Sequence, residues 1–80
     1  MPINTEQKLR QLRLAQGLTQ KEFSELPGLK LGSVKNYESG HSTVGLMIVT
    51  TILRHERFRK YTLWVICDEA RPDSGQIGLE

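Results

Sequence analysis

Apolar positions along the chain recur at helical spacing and are broken at short intervals by glycine and proline. Leu9, Leu12 and Ala15 lie three apart and Gly17 follows as a stop, which predicts a helix over residues 5–16. Thr19 followed by Glu22 is a capping box, so a second helix is predicted over residues 20–26, ended by Pro27 and Gly28. A third is predicted over residues 31–38, with Val34 and Tyr37 sharing its inner face and Ser39 and Gly40 closing it. Residues 44–53 contain Leu46, Met47, Val49, Ile52 and Leu53. Their β-branched richness would suit a strand, but ten residues without alternation inside a helical run favour a fourth helix. A fifth covers residues 58–66, with Phe58, Tyr61, Leu63, Trp64, Val65 and Ile66. Pro72, Asp73, Ser74 and Gly75 then mark a flexible tail. The expected fold is all-α: a bundle of about five helices, with one domain over residues 1–67 and a polar C-terminal tail or linker over residues 68–80.

The junction of the second and third helices is the most specific part of the pattern. Ser24 is a small residue where two helices must cross closely. Gly28, four positions on, permits the left-handed backbone of a tight turn. Val34, six further, is β-branched and faces inward. Gln20 stands at a helix start, where unpaired backbone N–H groups favour an anion such as a phosphate. Small residue, glycine and aliphatic at this spacing describe a helix-turn-helix corner.

The run resembles the phage-repressor type of helix-turn-helix, the lambda repressor and Cro family. The matching residues are Leu18-Thr19-Gln20, Ser24, Gly28, Val34 and Tyr37-Glu38-Ser39-Gly40, without insertion or gap, and Leu9 to Arg13 resemble the family's first helix. The resemblance implies a lambda-repressor-like bundle that places its third helix in the DNA major groove. By family position, Leu31, Gly32, Ser33, Lys35 and Asn36 would reach base edges. Asn36 suits adenine, and Lys35 suits guanine or a phosphate. Gln20 would hold a phosphate, with Arg10, Lys21, Lys30, Ser39, His41, Ser42 and Thr43 as further phosphate contacts. Arg13 and Glu38 match positions that form a structural ion pair between the first and third helices. Three departures stand out. Lys30 occupies the capping position of the third helix and cannot accept a backbone N–H. Pro27 replaces a buried leucine, and Gly32 weakens the first turn of the third helix.

Composition is that of an ordinary folded chain: 80 residues, 25% charged and 38% hydrophobic. The net charge of +2 conceals a polarity. Residues 1–60 carry ten Lys and Arg against five acids, a net +5, while residues 61–80 carry one Arg against four acids, a net −3. A basic body suits a polyanion partner. The polar start lacks the apolar stretch of a signal peptide, and a single cysteine excludes an internal disulfide, so the cytoplasm is the expected compartment and no membrane is expected.

Catalytic and metal chemistry find no support in the sequence. His41, His55 and Cys67 lack zinc-ligand spacing, no glycine loop cradles a phosphate, and no base stands beside a nucleophile. No enzyme activity, cofactor or metal is expected. The fifth segment holds more apolar residues than one thin core needs, which predicts a homodimer closed by Phe58, Tyr61, Trp64 and Val65. The sequence therefore predicts a sequence-specific double-stranded DNA-binding regulator. The resemblance suggests a phage or prophage repressor, or its N-terminal domain, on a palindromic operator. The alternative is an antitoxin-like protein that binds a protein partner, a toxin, through its C-terminal half and regulates its own operon.

Overall fold

Two reciprocal caps set where the first two helices begin. In the computed structural model, which describes residues 3–79, α1 runs Thr5–Ala15, α2 Gln20–Glu25, α3 Leu31–Glu38, α4 Leu46–Arg54 and α5 Thr62–Cys67. Short 3-10 turns at Arg59–Tyr61 and Pro72–Ser74 complete the order. Ahead of α1, the Gln7 amide donates to Asn4 Oδ1 at 2.8 Å and the Asn4 amide donates to Gln7 Oε1 at 3.0 Å. Ahead of α2, the Glu22 amide donates to Thr19 Oγ1 at 3.1 Å and the Thr19 amide donates to Glu22 Oε1 at 2.9 Å. Each box satisfies two backbone donors that a bare helix start leaves unpaired. The Thr19 donors also hold the Glu22 carboxyl below its ordinary pKa. α3 has no side-chain cap at Lys30.

The core is one cluster drawn from every helix: Leu9 and Leu12 of α1, Phe23 of α2, Val34 and Tyr37 of α3, Val49, Ile52 and Leu53 of α4, then Phe58, Tyr61, Trp64 and Val65. Phe23 and Phe58 meet at its centre with ring centroids 5.1 Å apart, tilted by 50°. A lysine is built into the same interior. Lys8 Nζ donates to the Trp64 carbonyl oxygen at 3.1 Å and pairs with Asp68 Oδ1 at 2.5 Å. The ammonium thus closes the carbonyl end of α5 from the side, where a cation also meets the helix dipole favourably.

Residues 44–53 form a helix and not a strand, but it starts at Leu46. Val49, Ile52 and Leu53 occupy its inner face, whereas Leu46 and Met47 stay 75% and 81% exposed. The expectation that Phe58, Tyr61, Trp64 and Val65 form a subunit surface is corrected. All four are buried within one protomer, none more than 8% exposed. The segment opens as a 3-10 turn rather than an α-helix, and a spacing of three keeps Phe58, Tyr61 and Trp64 on one side. The apolar excess read there reduces to half-buried Leu63 and exposed Ile66.

The tail is not a free polar extension either. Arg71 and Gln76 exchange two backbone hydrogen bonds around the Pro72–Ser74 turn. Beyond it the Ile77 amide donates to the Lys60 carbonyl oxygen at 2.8 Å, and Ile77 and Leu79 pack against the core. The Gln76 side chain accepts from the Leu63 amide at 3.0 Å and donates to the Arg59 carbonyl oxygen at 3.2 Å. Gly78 passes so close to Trp64 that a Cβ there would lie 3.0 Å from the indole Cδ1. The tail is a strap over the start of α5. Among the described residues there is no strand beyond that single bridge and no helix long and apolar enough to cross a membrane.

Candidate nucleic-acid interface

The corner between α2 and α3 positions every side chain that the sequence assigns to the third-helix face. Ser24 is 2% exposed, and its Oγ donates back to the Lys21 carbonyl oxygen at 2.7 Å. Its own carbonyl oxygen accepts from the Leu29 amide at 2.7 Å. A larger side chain would separate the helices at this crossing. Gly28 turns the chain with φ +84°, a conformation that costs other residues on the order of 1 kcal/mol.

α3 then has two distinct sides. Val34 and Tyr37 face inward, at 0% and 2% exposure. Gly32, Lys35 and Asn36 are exposed on the opposite side, with Leu31 and Ser33 half-buried at its edge. The outer face thus offers an amide, an ammonium and a glycine that lets a partner approach the backbone. The Tyr37 hydroxyl is buried and finds no hydrogen-bond partner among the described residues. Burial raises its pKa well above the ordinary tyrosine value, and the neighbouring Glu38 charge adds to the effect.

One carboxylate ties three helices together. Arg13 Nε donates to Glu38 Oε2 and Arg13 Nη2 to Glu38 Oε1, each at 2.9 Å, while Nη1 donates to the Leu18 carbonyl oxygen at 2.9 Å. The forked geometry is the strong form of such a pair, and its hydrogen bonds raise the Arg13 pKa. Gln20 Nε2, at the start of α2, donates to Glu38 Oε1 at 3.0 Å. Arg10 Nε lies 3.8 Å from the same oxygen and its side chain is largely exposed. Gln20 is therefore held by α3 as well as by its own helix, a bond that residue spacing did not reveal.

The loop after α3 is anchored from both ends. The His41 and Ser42 amides both donate to the Asn36 carbonyl oxygen, and the Val44 amide donates to Glu6 Oε2 at 2.9 Å. The Glu6 contact, which crosses from the first turn of α1, had no signal in the sequence. Between the anchors Ser39, His41, Ser42 and Thr43 are exposed. His41 Nδ1 lies 2.9 Å from Ser39 Oγ. This loop and the first half of α1 enclose a groove of about 570 Å³, with Arg10 on one wall and His41, Ser42 and Thr43 on the other. Lys21 and Lys30 are exposed but do not line the groove. The structure thus gathers Arg10 and the loop residues at one groove and joins Gln20 to Glu38.

A family profile described as helix-turn-helix matches residues 9–55, from within α1 to the end of α4. The chain is also similar to Repressor protein C of Escherichia phage P2, with 34% identity over 77 residues covering 96% of this chain and 78% of that protein. On both grounds, and with the two-helix corner in place, the chain belongs to the helix-turn-helix family of the phage-repressor type.

Proposed function

We propose that the protein is a sequence-specific double-stranded DNA-binding transcriptional repressor of phage or prophage type. On this reading it binds a palindromic operator as a homodimer. The observation that carries it is the division of α3: Val34 and Tyr37 are locked inside while Gly32, Lys35 and Asn36 stand free on the opposite side. A major groove admits one helix, and a helix is read by side chains that do not also hold the fold together.

The chemistry divides into two tasks. Asn36 can donate to and accept from one adenine edge at once, and Lys35 can donate to guanine or to a phosphate. Leu31 and Ser33, at the edge of the face, suit a thymine methyl and a single hydrogen bond. Gln20 serves as a positioning contact to phosphate, its direction set by Glu38. Arg10, Ser39, His41, Ser42 and Thr43 line or border the adjoining groove and supply the donors for a neighbouring backbone. Lys21 and Lys30 contribute charge at longer range.

The test is selection of bound duplexes from a random DNA pool. The expected outcome is one enriched palindrome whose half-sites lie about one helical turn apart. Recovery of no preferred sequence, with tight binding of every duplex, would overturn the sequence-specific reading. Recovery of a preferred but non-palindromic site would overturn the symmetric dimer.

A further inference from the structure

We infer that the surface joining two copies of this chain is the exposed start of α4, centred on Leu46 and Met47. The inference rests on the homodimer reading above and names its seam. Among the described residues, the large hydrophobic side chains left exposed are Leu14, Leu26, Leu46, Met47 and Ile66. Leu14, Leu26 and Ile66 stand between 38% and 54% exposed on three different elements, and isolated apolar residues of that kind are ordinary surface. Leu46 and Met47 are adjacent and the most exposed of the set, at 75% and 81%. They do not serve the core, because Val49, Ile52 and Leu53 already supply the inner face of α4.

Charge selects the occupant. Residues 39–53 are the longest stretch of the chain without Lys, Arg, Asp or Glu. Residues 1–60 otherwise carry a net charge of +5, so two copies brought together elsewhere on this body would set like charges against each other. At the start of α4 they would not. The two apolar side chains of the patch supply no donor for a phosphate, which makes it a poor site for DNA. A surface that meets its own copy about a twofold axis must be self-complementary, and an uncharged apolar tip meets that condition without further residues.

Size and place agree with this occupant. Third helices that read successive turns of one duplex face lie about 34 Å apart. The molecule measures 36 × 28 × 23 Å, the same scale as that spacing, so two copies on adjacent turns are near enough to touch. The α4 tip follows directly on the 39–45 loop, whose exposed hydroxyls and imidazole are assigned to the DNA backbone. The α5 surface is a weaker choice, since Trp64 and Val65 are buried and the strap lies across its start.

The experiment compares the wild type with Leu46→Gln/Met47→Gln on the duplex recovered by selection and on its isolated half-site. The double variant keeps good helix formers and adds no charge. The wild type should load two copies cooperatively. The double variant should keep its half-site affinity and its circular dichroism spectrum, yet lose cooperativity about tenfold or more. Met47→Glu, which opposes two carboxylates across the same seam, should do likewise and repeats the test without altering Leu46. Ile66→Gln should leave cooperativity intact. Cooperative loading retained by both α4 variants, or lost equally in Ile66→Gln, overturns this seam while leaving the dimer in place. Absence of cooperativity in the wild type overturns the dimer itself, and the inference falls with it.

Discussion

The Gln20 side-chain amide donates to Glu38 Oε1 at 3.0 Å, and the same oxygen accepts from Arg13 Nη2 at 2.9 Å. The first residue of α2 is therefore oriented by the last residue of α3, through a carboxylate already committed to α1. A helix start assigned to phosphate and a helix face assigned to bases are joined as one rigid unit. The Glu38 side chain is only 4% exposed and that of Arg13 11%. Removing the carboxylate leaves a nearly buried guanidinium without its partner, so Glu38→Ala should destabilise the fold by about 3 kcal/mol. Thermal unfolding checks this, with a fall in Tm of about 10 °C or more expected for a chain of this size.

Gln20→Ala should weaken binding to the selected duplex and to random duplexes by the same factor, because the contact positions the protein without reading sequence. The side chain is uncharged, so the dependence of affinity on salt should hardly change. Lys35→Ala should instead flatten that dependence by up to about one unit if the ammonium meets a phosphate. Titrations at several salt concentrations separate the two effects. Loss confined to the selected duplex in Gln20→Ala would make Gln20 a base reader.

Asn36→Ala should behave in the opposite way. Asn36 is exposed beside buried Tyr37, and among the described residues the bonds to it run to its backbone carbonyl oxygen, not its side chain, so stability should be unaffected. Affinity for the selected duplex should fall by roughly 1–3 kcal/mol, with preference relaxed at one base position per half-site. Equal loss on random DNA would exclude Asn36 from base reading.

Local chemistry explains which parts of this arrangement were legible in the sequence. The Thr19–Glu22 box, the Ser24 and Gly28 corner and the inward Val34–Tyr37 pair depend on neighbours within one or two helical turns, and each stands where its spacing puts it. Contacts between distant segments were not legible. Nothing in the spacing around Lys8 marks it for the interior, because its partners stand at the carbonyl end of α5. Leu46, Met47, Val49, Ile52 and Leu53 are equally apolar positions of the fourth helix in the sequence, but Leu46 and Met47 belong to a first turn that extends past the hydrophobic cluster. Phe58, Tyr61, Trp64 and Val65 read as an excess because an ideal α-helix would distribute them, whereas a 3-10 start aligns them inward.

The capping carboxylate predicts an acid dependence. Glu22 is fully exposed, and its pKa is lowered chiefly by the hydrogen bond from the Thr19 backbone. A carboxyl group with a depressed pKa in the folded state contributes stability above its unfolded pKa and loses it as pH falls through the folded value. The start of α2 should therefore weaken on acidification, beginning in the ordinary glutamate range and continuing below it. Glu22→Gln keeps an acceptor for the Thr19 amide without the charge. The difference in Tm between wild type and Glu22→Gln should be largest near neutrality and vanish in acid, and a difference independent of pH would assign the cap's effect to geometry alone.

The strap over α5 makes the last prediction. Gly78 lies against Trp64 with no room for a side chain: a Cβ would approach the indole Cδ1 to 3.0 Å and Cγ to 3.3 Å. The indole is itself held from below, since Lys8 Nζ lies 5.8 Å from its ring centroid while bonding to the Trp64 carbonyl oxygen. Of the two sides, the strap is the freer to yield, because it is fastened by few bonds and most of residues 67–78 are exposed. Gly78→Val should therefore lift the strap rather than shift the core. Ile77 and Leu79 would leave the cluster and Trp64 would meet water. Loss of part of that burial should cost roughly 1–3 kcal/mol. Tryptophan emission should move to longer wavelength, and the Ile77 amide, which donates to the Lys60 carbonyl oxygen in the closed strap, should exchange its hydrogen with solvent faster. Third-helix residues are untouched by the substitution, so half-site affinity at a temperature well below the new Tm should be unchanged. An unshifted emission spectrum with unchanged exchange of the Ile77 amide would show that the indole, and not the strap, gives way.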